Sequence, residues 1–354
     1  MRKPFIYSLL LVWLASMQCA VAQNENQAPN RRRNFFDEHN PGVHDPVMAY
    51  ENGRYYVFAT GMRVSVMSSA DLKTWQMERP VLSETPQWAV DSIPTYRGHT
   101  WAPDVIKGED GMWHLYYSCS GFGKNRSAIG EAVTKTLDPS SPDFGWVDKG
   151  MVVESVPGKT NFNAIDANVI IDGKGTPWLS FGSFWGGIQQ VKLKPDMHTP
   201  ASKKFKTIAT RRYKKKANDP YPQSRDNSIE APFIVHHGDY YYLFVSFDYC
   251  CRGLNSNYKT VVGRSKKVTG PYIDKSGRRM DQGGGTLLYD SDDDFVAVGH
   301  NAAYSKKQMG VPGATENDWL FLAHGYDRNN RGASKMVLRP MTFDAEGWPV
   351  IEKK

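Results

Sequence analysis

Cysteine is scarce in this chain of 354 residues: Cys19, Cys119, Cys250 and Cys251 are the full set. Cys19 falls in a segment expected to be removed. Three cysteines make no complete disulfide framework, and an adjacent pair rarely bridges without strain. They are therefore expected as buried small side chains, with a bridge from Cys119 to either neighbour left open; zinc would need more ligands at better spacing. Apolar runs long enough to cross a membrane are missing too. The one sustained run, residues 5–17, follows Arg2 and Lys3 and precedes Ala20-Val21-Ala22. That is the pattern of a secretory signal peptide over residues 1–22, cleaved after Ala22, not of a spanning helix. Ser16-Met17-Gln18 before Cys19 is a poor acylation signal, which argues against a lipid anchor. Charge of one sign is weak as well: removing two cations and no acids takes the net charge from +7 to +5. The basic runs at 31–33 and 211–216 read as solvated tail and loop charge. With export and no binding module in view, nucleic acid is excluded as a partner. Helical periodicity is absent, and after a polar, flexible leader at 23–36 no change of composition marks a second domain within 37–354.

What the chain does have is aromatic residues, 12% of the total with 18 Tyr and 10 Trp, set in short strand-like runs. One pattern occurs five times. A polar residue opens an apolar strand, a Gly- or Asn-containing turn follows, and an aromatic-rich strand ends in Ser, Thr or Gly. The openings are Asp45, Asp104, Asp166, Glu230 and, more degenerate, His300, where the pattern resumes at Trp319. They lie 59, 62, 64 and 70 residues apart. Strand–turn–strand content at such a period predicts an all-β, five-bladed β-propeller, since five four-stranded blades need about 310 residues. A two-sheet sandwich leaves the repeated opening unexplained. The stretches 83–99, 196–228 and 275–298 read as rim loops, which shape a propeller's binding face.

Equivalent positions in each blade converge on one axis, so several carboxylates would share one pocket. Glycoside hydrolysis needs one carboxylic acid to protonate the leaving oxygen and a second carboxylate to activate water, about 6.5–9.5 Å away in an inverting enzyme. Asp45, followed by Pro46, and Glu230, in Ile229-Glu230-Ala231-Pro232, are both held extended by the proline that follows. The apolar flanks of Glu230 suggest a raised pKa, and a nearby third acid, Asp166, would disfavour its ionisation through like charge. Asp104 follows Trp101-Ala102-Pro103. The residues alone do not rank these four acids.

Taken in order, the blocks His44-Asp45-Pro46, Trp101-Ala102-Pro103-Asp104, Asn163-Ala164-Ile165-Asp166, Phe181-Gly182-Ser183-Phe184-Trp185, Ile229-Glu230-Ala231-Pro232 and Ser246-Phe247-Asp248-Tyr249-Cys250-Cys251-Arg252-Gly253 give the chain its family likeness. It resembles the five-bladed arabinanases of glycoside hydrolase family 43 over about residues 41–349. The resemblance implies a secreted or periplasmic inverting enzyme that cuts internal α-1,5 bonds of arabinan, with arabinan side chains of pectin and arabino-oligosaccharides as partners and a monomeric state. It makes Asp45 the general base, Glu230 the general acid and Asp166 the acid that tunes and holds Glu230, and it leaves Asp104 a structural role. Sugar binding falls on Asp45, Gly121, Phe122, Asn163, Ala164, Ile165, Asp166, Ser183, Phe184 and Trp185, where flat aromatic faces suit the apolar side of a furanose. His300 would line a channel holding one calcium ion, largely through water, because calcium prefers more oxygen ligands than one imidazole supplies. Asp292-Asp293-Asp294 reads instead as a solvated acidic loop. Ala167 stands where the family usually has proline. The rivals are an exo-acting arabinofuranosidase or a β-xylosidase with the same acids, and a non-catalytic sugar-binding propeller.

Overall fold

In the computed structural model, residues 36–211 and 227–353 are described. The expected signal peptide, the leader up to residue 35, and most of the basic run at 211–216 lie outside the described residues. Each repeat folds as two paired strands of a four-stranded antiparallel meander, to which the second blade adds a fifth strand, Gly61–Met62, beside His99–Lys107. In the first, Val47–Glu51 pairs with Arg54–Ala59 around Asn52 and Gly53, whose φ values of 50° and 85° are what a tight two-residue hairpin requires. The five sheets follow one another along the chain and form a five-bladed β-propeller. Their first strands are Val47–Glu51, His99–Lys107, Asn168–Ile171, Ile229–His237 and Phe295–Ser305, and each touches those of its neighbours.

The first and last blades close the ring by contact and not by exchange of a strand. Met336 N–H donates to Pro41 O at 3.2 Å. Ser334 Oγ donates to Val43 O at 2.6 Å, and Met48 N–H to Tyr304 Oη at 2.7 Å. Val43 and Met48 pack with Leu320 and Leu322 in the same seam.

Three expectations change. The stretches 196–228 and 275–298 hold the outer strands Lys206–Ala209 and Thr286–Tyr289 and are not only loops. Such edge strands are short, with little of the alternation that marks inner ones. Residues 83–99 contain a six-residue helix, Gln87–Ser92. The acidic run is not uniformly solvated: the Asp292 side chain is buried, pairs with Arg339 at 3.1 Å and accepts Phe295 N–H at 2.7 Å.

Asp104 lies between blades. Its Oδ2 accepts Val169 N–H at 2.6 Å and the Asn168 amide at 3.3 Å, while Asn168 Oδ1 accepts Ile234 N–H at 2.9 Å. Burial pushes the Asp104 carboxyl up to about 7, even with these donors opposing the shift. A second buried acid, Glu131, accepts His114 Nδ1–H and His198 Nδ1–H, both at 2.6 Å. Burial alone would lower the His114 pKa, but its bonds to Glu131 and Asp110 raise it. The resulting stability is complete below the unfolded histidine pKa of about 6.5 and is lost as pH rises through the higher folded value. Glu131→Gln is expected to cost about 3 kcal/mol, because it leaves a buried imidazole without its counter-charge. Thermal melts across pH 6–9 check both points: the variant should melt lower and lose part of the alkaline decline.

Candidate active site

One residue at the start of, or within, each innermost strand adopts the left-handed conformation, Asp45 (φ 53°), Ala102 (42°), Asp166 (59°), Ala231 (56°) and His300 (49°), so Asp45 is not extended as its following proline suggested. Non-glycine residues rarely do so, and such strain gathers at functional sites. Pro46, Pro103, Ala167, Pro232 and Asn301 follow in turn. These five are the equivalent positions of the blades. The expected shared register of the four acids is therefore corrected: Glu230 stands one residue before its blade's equivalent position and Asp104 two after. Ladder irregularities between 101 and 104, 230 and 233, and 299 and 302 are the physical cause. His300 likewise sits within its strand, Phe295–Ser305, and does not open it.

Asp45, Asp166, Glu230 and His300 converge from four blades on one cleft of about 1040 Å³. Gly121, Phe122, Asn163, Ile165, Ser183, Phe184 and Trp185 line it as well. Ala164 does not. It is 0% exposed and packs among Phe162, Val169 and Phe181, because the neighbouring residues turn outward and leave its methyl in the core.

Asp45 is the most heavily solvated by protein groups. Its Oδ1 lies 2.8 Å from His44 Nδ1 and 3.0 Å from His300 Nδ1, and Oδ2 accepts the Thr60 hydroxyl at 2.6 Å. Burial pushes this carboxyl upward, but the charges and hydrogen bonds of His300 and His44 outweigh it and hold Asp45 well below the usual carboxylate range. His324 is kept neutral by burial and by the neighbouring histidines. Its Nδ1 accepts Asp45 N–H at 3.2 Å, and its ring stacks on His44 with centroids 3.8 Å apart.

Glu230 sits among hydroxyls, contrary to the apolar setting its sequence neighbours suggested. Ser183 Oγ donates to Oε2 at 2.6 Å and Tyr258 Oη to Oε1 at 2.7 Å. Ile229, buried beside it in the chain, packs instead in the core with Ile188 and Val245. The upward shift falls on Asp166: burial and the Glu230 and Asp45 charges oppose its ionisation, and His300 and the Ala231 N–H offset this only in part.

The walls suit a sugar. Phe122 is 82% exposed at the cleft, so it does not serve ordinary blade packing. Phe184 and Trp185, with φ of 56° and 34°, are held by Phe184 N–H to Ile229 O at 2.7 Å and Asn227 Nδ2 to Trp185 O at 2.8 Å. The Asn163 amide oxygen accepts the Ser127 hydroxyl at 2.6 Å. Trp101 also faces the cleft, with its indole N–H on His99 Nδ1 at 2.8 Å.

Cys250 and Cys251 correct a further expectation: they form a disulfide on the cleft wall and are not buried thiols, while Cys119 is buried and free. Cys251 takes a φ of 66° in the loop after Tyr240–Phe247, and that backbone brings the adjacent sulfurs together.

His300 fits the expected metal in one respect. Asp45 engages its Nδ1 and leaves Nε2 as the ligand atom, which is how carboxylates orient metal-bound histidines. Next to it in the chain, both side-chain polar atoms of Asn301 are buried without a partner, as an unfilled polar site would leave them. Burial opposes protonation of His300, but the Asp45 charge and hydrogen bond, with Asp166 and Glu230, push it up to about 9, so a proton holds the ring's positive charge.

Sequence reasoning missed Thr60, Tyr258, His324 and Tyr326. None is marked by a motif: His324 and Tyr326 lie in the second strand of the last blade, Thr60 just after a second strand and Tyr258 just before a third, and all reach the acids only through the blade packing.

The family profile described as Glycosyl hydrolases family 43 matches residues 40–349. An extracellular exo-α-(1→5)-L-arabinofuranosidase of Cellvibrio japonicus is 45% identical over 313 residues, covering 88% of this chain and 87% of the relative. An extracellular endo-α-(1→5)-L-arabinanase of Bacillus subtilis is 37% identical, covering 89% of each. Among solved structures, an exo-1,5-α-L-arabinanase from a bovine ruminal metagenomic library superposes with a TM-score of 0.81 at 54% identity, covering 90% of this chain and 99% of that one.

Proposed function

The chain belongs to glycosyl hydrolases family 43, and on that premise we propose that it hydrolyses α-1,5-linked arabinofuranosyl chains with inversion. Three buried acids from three blades, in three different environments around one cleft, carry this reading. Asp45 is kept ionised by its histidines and takes a proton from the attacking water. Glu230, oriented by Ser183 and Tyr258, gives a proton to the leaving oxygen. Asp166 is a positioning residue whose ionisation the Glu230 charge beside it opposes. His300, through Nε2, is the residue that would hold a calcium ion, which would supply fixed positive charge beside the three acids.

Exo action is the mode we favour over the endo action expected from sequence, because the similar proteins at 45% and 54% identity are both named as exo-acting. The endo reading is retained on the Bacillus subtilis relative at 37%. Export is proposed from the relatives named as extracellular. Linear debranched arabinan separates the two modes. Exo action releases one short product from the first minutes at nearly constant viscosity, whereas endo action lowers viscosity early and gives mixed oligomers. Cleavage of xylan but not arabinan would overturn the substrate assignment.

Asp166→Asn tests the third acid. Above its own pKa, Asp166 adds negative charge beside Glu230 and helps the acid keep its proton. The variant is therefore expected to be slower by about 10²-fold and to lose activity at lower pH on the alkaline side. An unchanged rate and alkaline limb would count against the role.

A further inference from the structure

The Cys250–Cys251 disulfide touches the machinery around Asp45 and has no part in the mechanism so far. Cys251 N–H donates to Tyr326 Oη at 2.6 Å, and that oxygen lies 3.2 Å from His44 Nε2. His44 Nδ1 in turn meets Asp45 Oδ1 at 2.8 Å. The Cys251 sulfur is itself 3.8 Å from His44 Nε2. Tyr326 Oη also lies 3.5 Å from Nε2 of His324, whose other nitrogen accepts the Asp45 N–H. Two routes thus run from residue 251 to Asp45, one to its carboxylate and one to its backbone N–H. Cys251 holds a left-handed backbone that a non-glycine residue rarely keeps, and a bond between adjacent sulfurs closes a small ring around the intervening peptide. Opening that ring frees the peptide whose N–H anchors Tyr326. Cys251 is exposed in the cleft, so a small reductant reaches it.

We propose that the Cys250–Cys251 disulfide is a positioning element for Asp45, and that this bond is a redox modification site through which small thiols or dithiols lower the hydrolytic rate. The inference rests on the reading of Asp45 as the base. In the modifying step a dithiol breaks the S–S bond. Two electrons and two protons pass to the cysteine sulfurs, giving two thiols, and the dithiol becomes its cyclic disulfide.

The test uses the folded enzyme and an arabino-oligosaccharide, before and after dithiothreitol and again after reoxidation with diamide. Mass measurement of alkylated protein reports the state of each cysteine. Reduction is expected to lower kcat by about 10-fold or more, as loss of alignment at a reacting group does, with KM within about 2-fold. Reoxidation is expected to restore kcat. Cys250→Ser with Cys251→Ser should show the reduced rate and ignore dithiothreitol. If that variant fails to fold, the reduction and reoxidation cycle of the native enzyme decides alone. Full kcat with both cysteines reduced overturns the proposal, as does a double variant that still responds to dithiothreitol, or a loss of kcat matched by a fall in melting temperature that accounts for it. An oxidised enzyme that cleaves no arabinan refutes the underlying reading and not this inference.

Discussion

Glu230→Gln is expected to lower kcat on arabinan by about 10³-fold while leaving binding of the polysaccharide nearly unchanged. The amide matches the carboxyl in shape. Ser183 and Tyr258, the two hydroxyls now donating to Glu230, can still bond to it, so cleft and fold should persist. What disappears is a proton for the leaving oxygen. A nitrophenyl arabinofuranoside, whose leaving group departs without protonation, should then lose far less rate than arabinan. Comparison of the two substrates on one variant is the check. An equal loss on both would place Glu230 outside the acid role, and retained activity on arabinan would exclude it from the chemistry.

The fold was legible because a propeller repeats one physical solution five times. Each repeat pairs an inward strand with an aromatic second strand such as Trp113–Cys119, every residue of which is buried. The outer strands escaped notice for the opposite reason: Lys206–Ala209 faces solvent at one end and buries little. The register of the acids was only half legible. A spacing of about sixty residues locates a blade but not a bulge, and a bulge moves a side chain from one face to another. Hence Asp104 and Glu230 looked equivalent in sequence, yet one fastens two blades and the other enters the cleft.

The partners of the acids were hidden by distance. His44 adjoins Asp45, but Tyr326 lies 282 residues from His44 and His324 lies 279 from Asp45. Single-sequence patterns report contacts between neighbours and within periodic elements, not contacts made by closing a ring. The same limit applies to Cys250 and Cys251. Their adjacency was visible, but the left-handed backbone that joins them, and the tyrosine it holds, were not.

Asp45→Ala should bring the second large loss, on the order of 10⁴-fold on arabinan, because its histidines hold this carboxylate ionised whereas the surroundings of Asp166 oppose its ionisation. His300, His44 and Thr60 now surround Asp45, so removing its carboxylate leaves a space lined by hydrogen-bond donors. Such a space attracts a small anion. Azide is therefore expected to restore part of the rate by taking the place of water, attacking the anomeric carbon while Glu230 still protonates the leaving oxygen. The product would be arabinosyl azide of inverted configuration, since the anion enters from the face the base had served. Proton NMR of the product reads this directly. Azide product of retained configuration would make Asp45 something other than the base of an inverting reaction, and an undiminished rate without azide would remove it from catalysis. In the native enzyme the two histidines keep Asp45 charged well into acid, so the acid limb of activity should lie below the usual carboxylate range and rise when His44 is replaced by Phe.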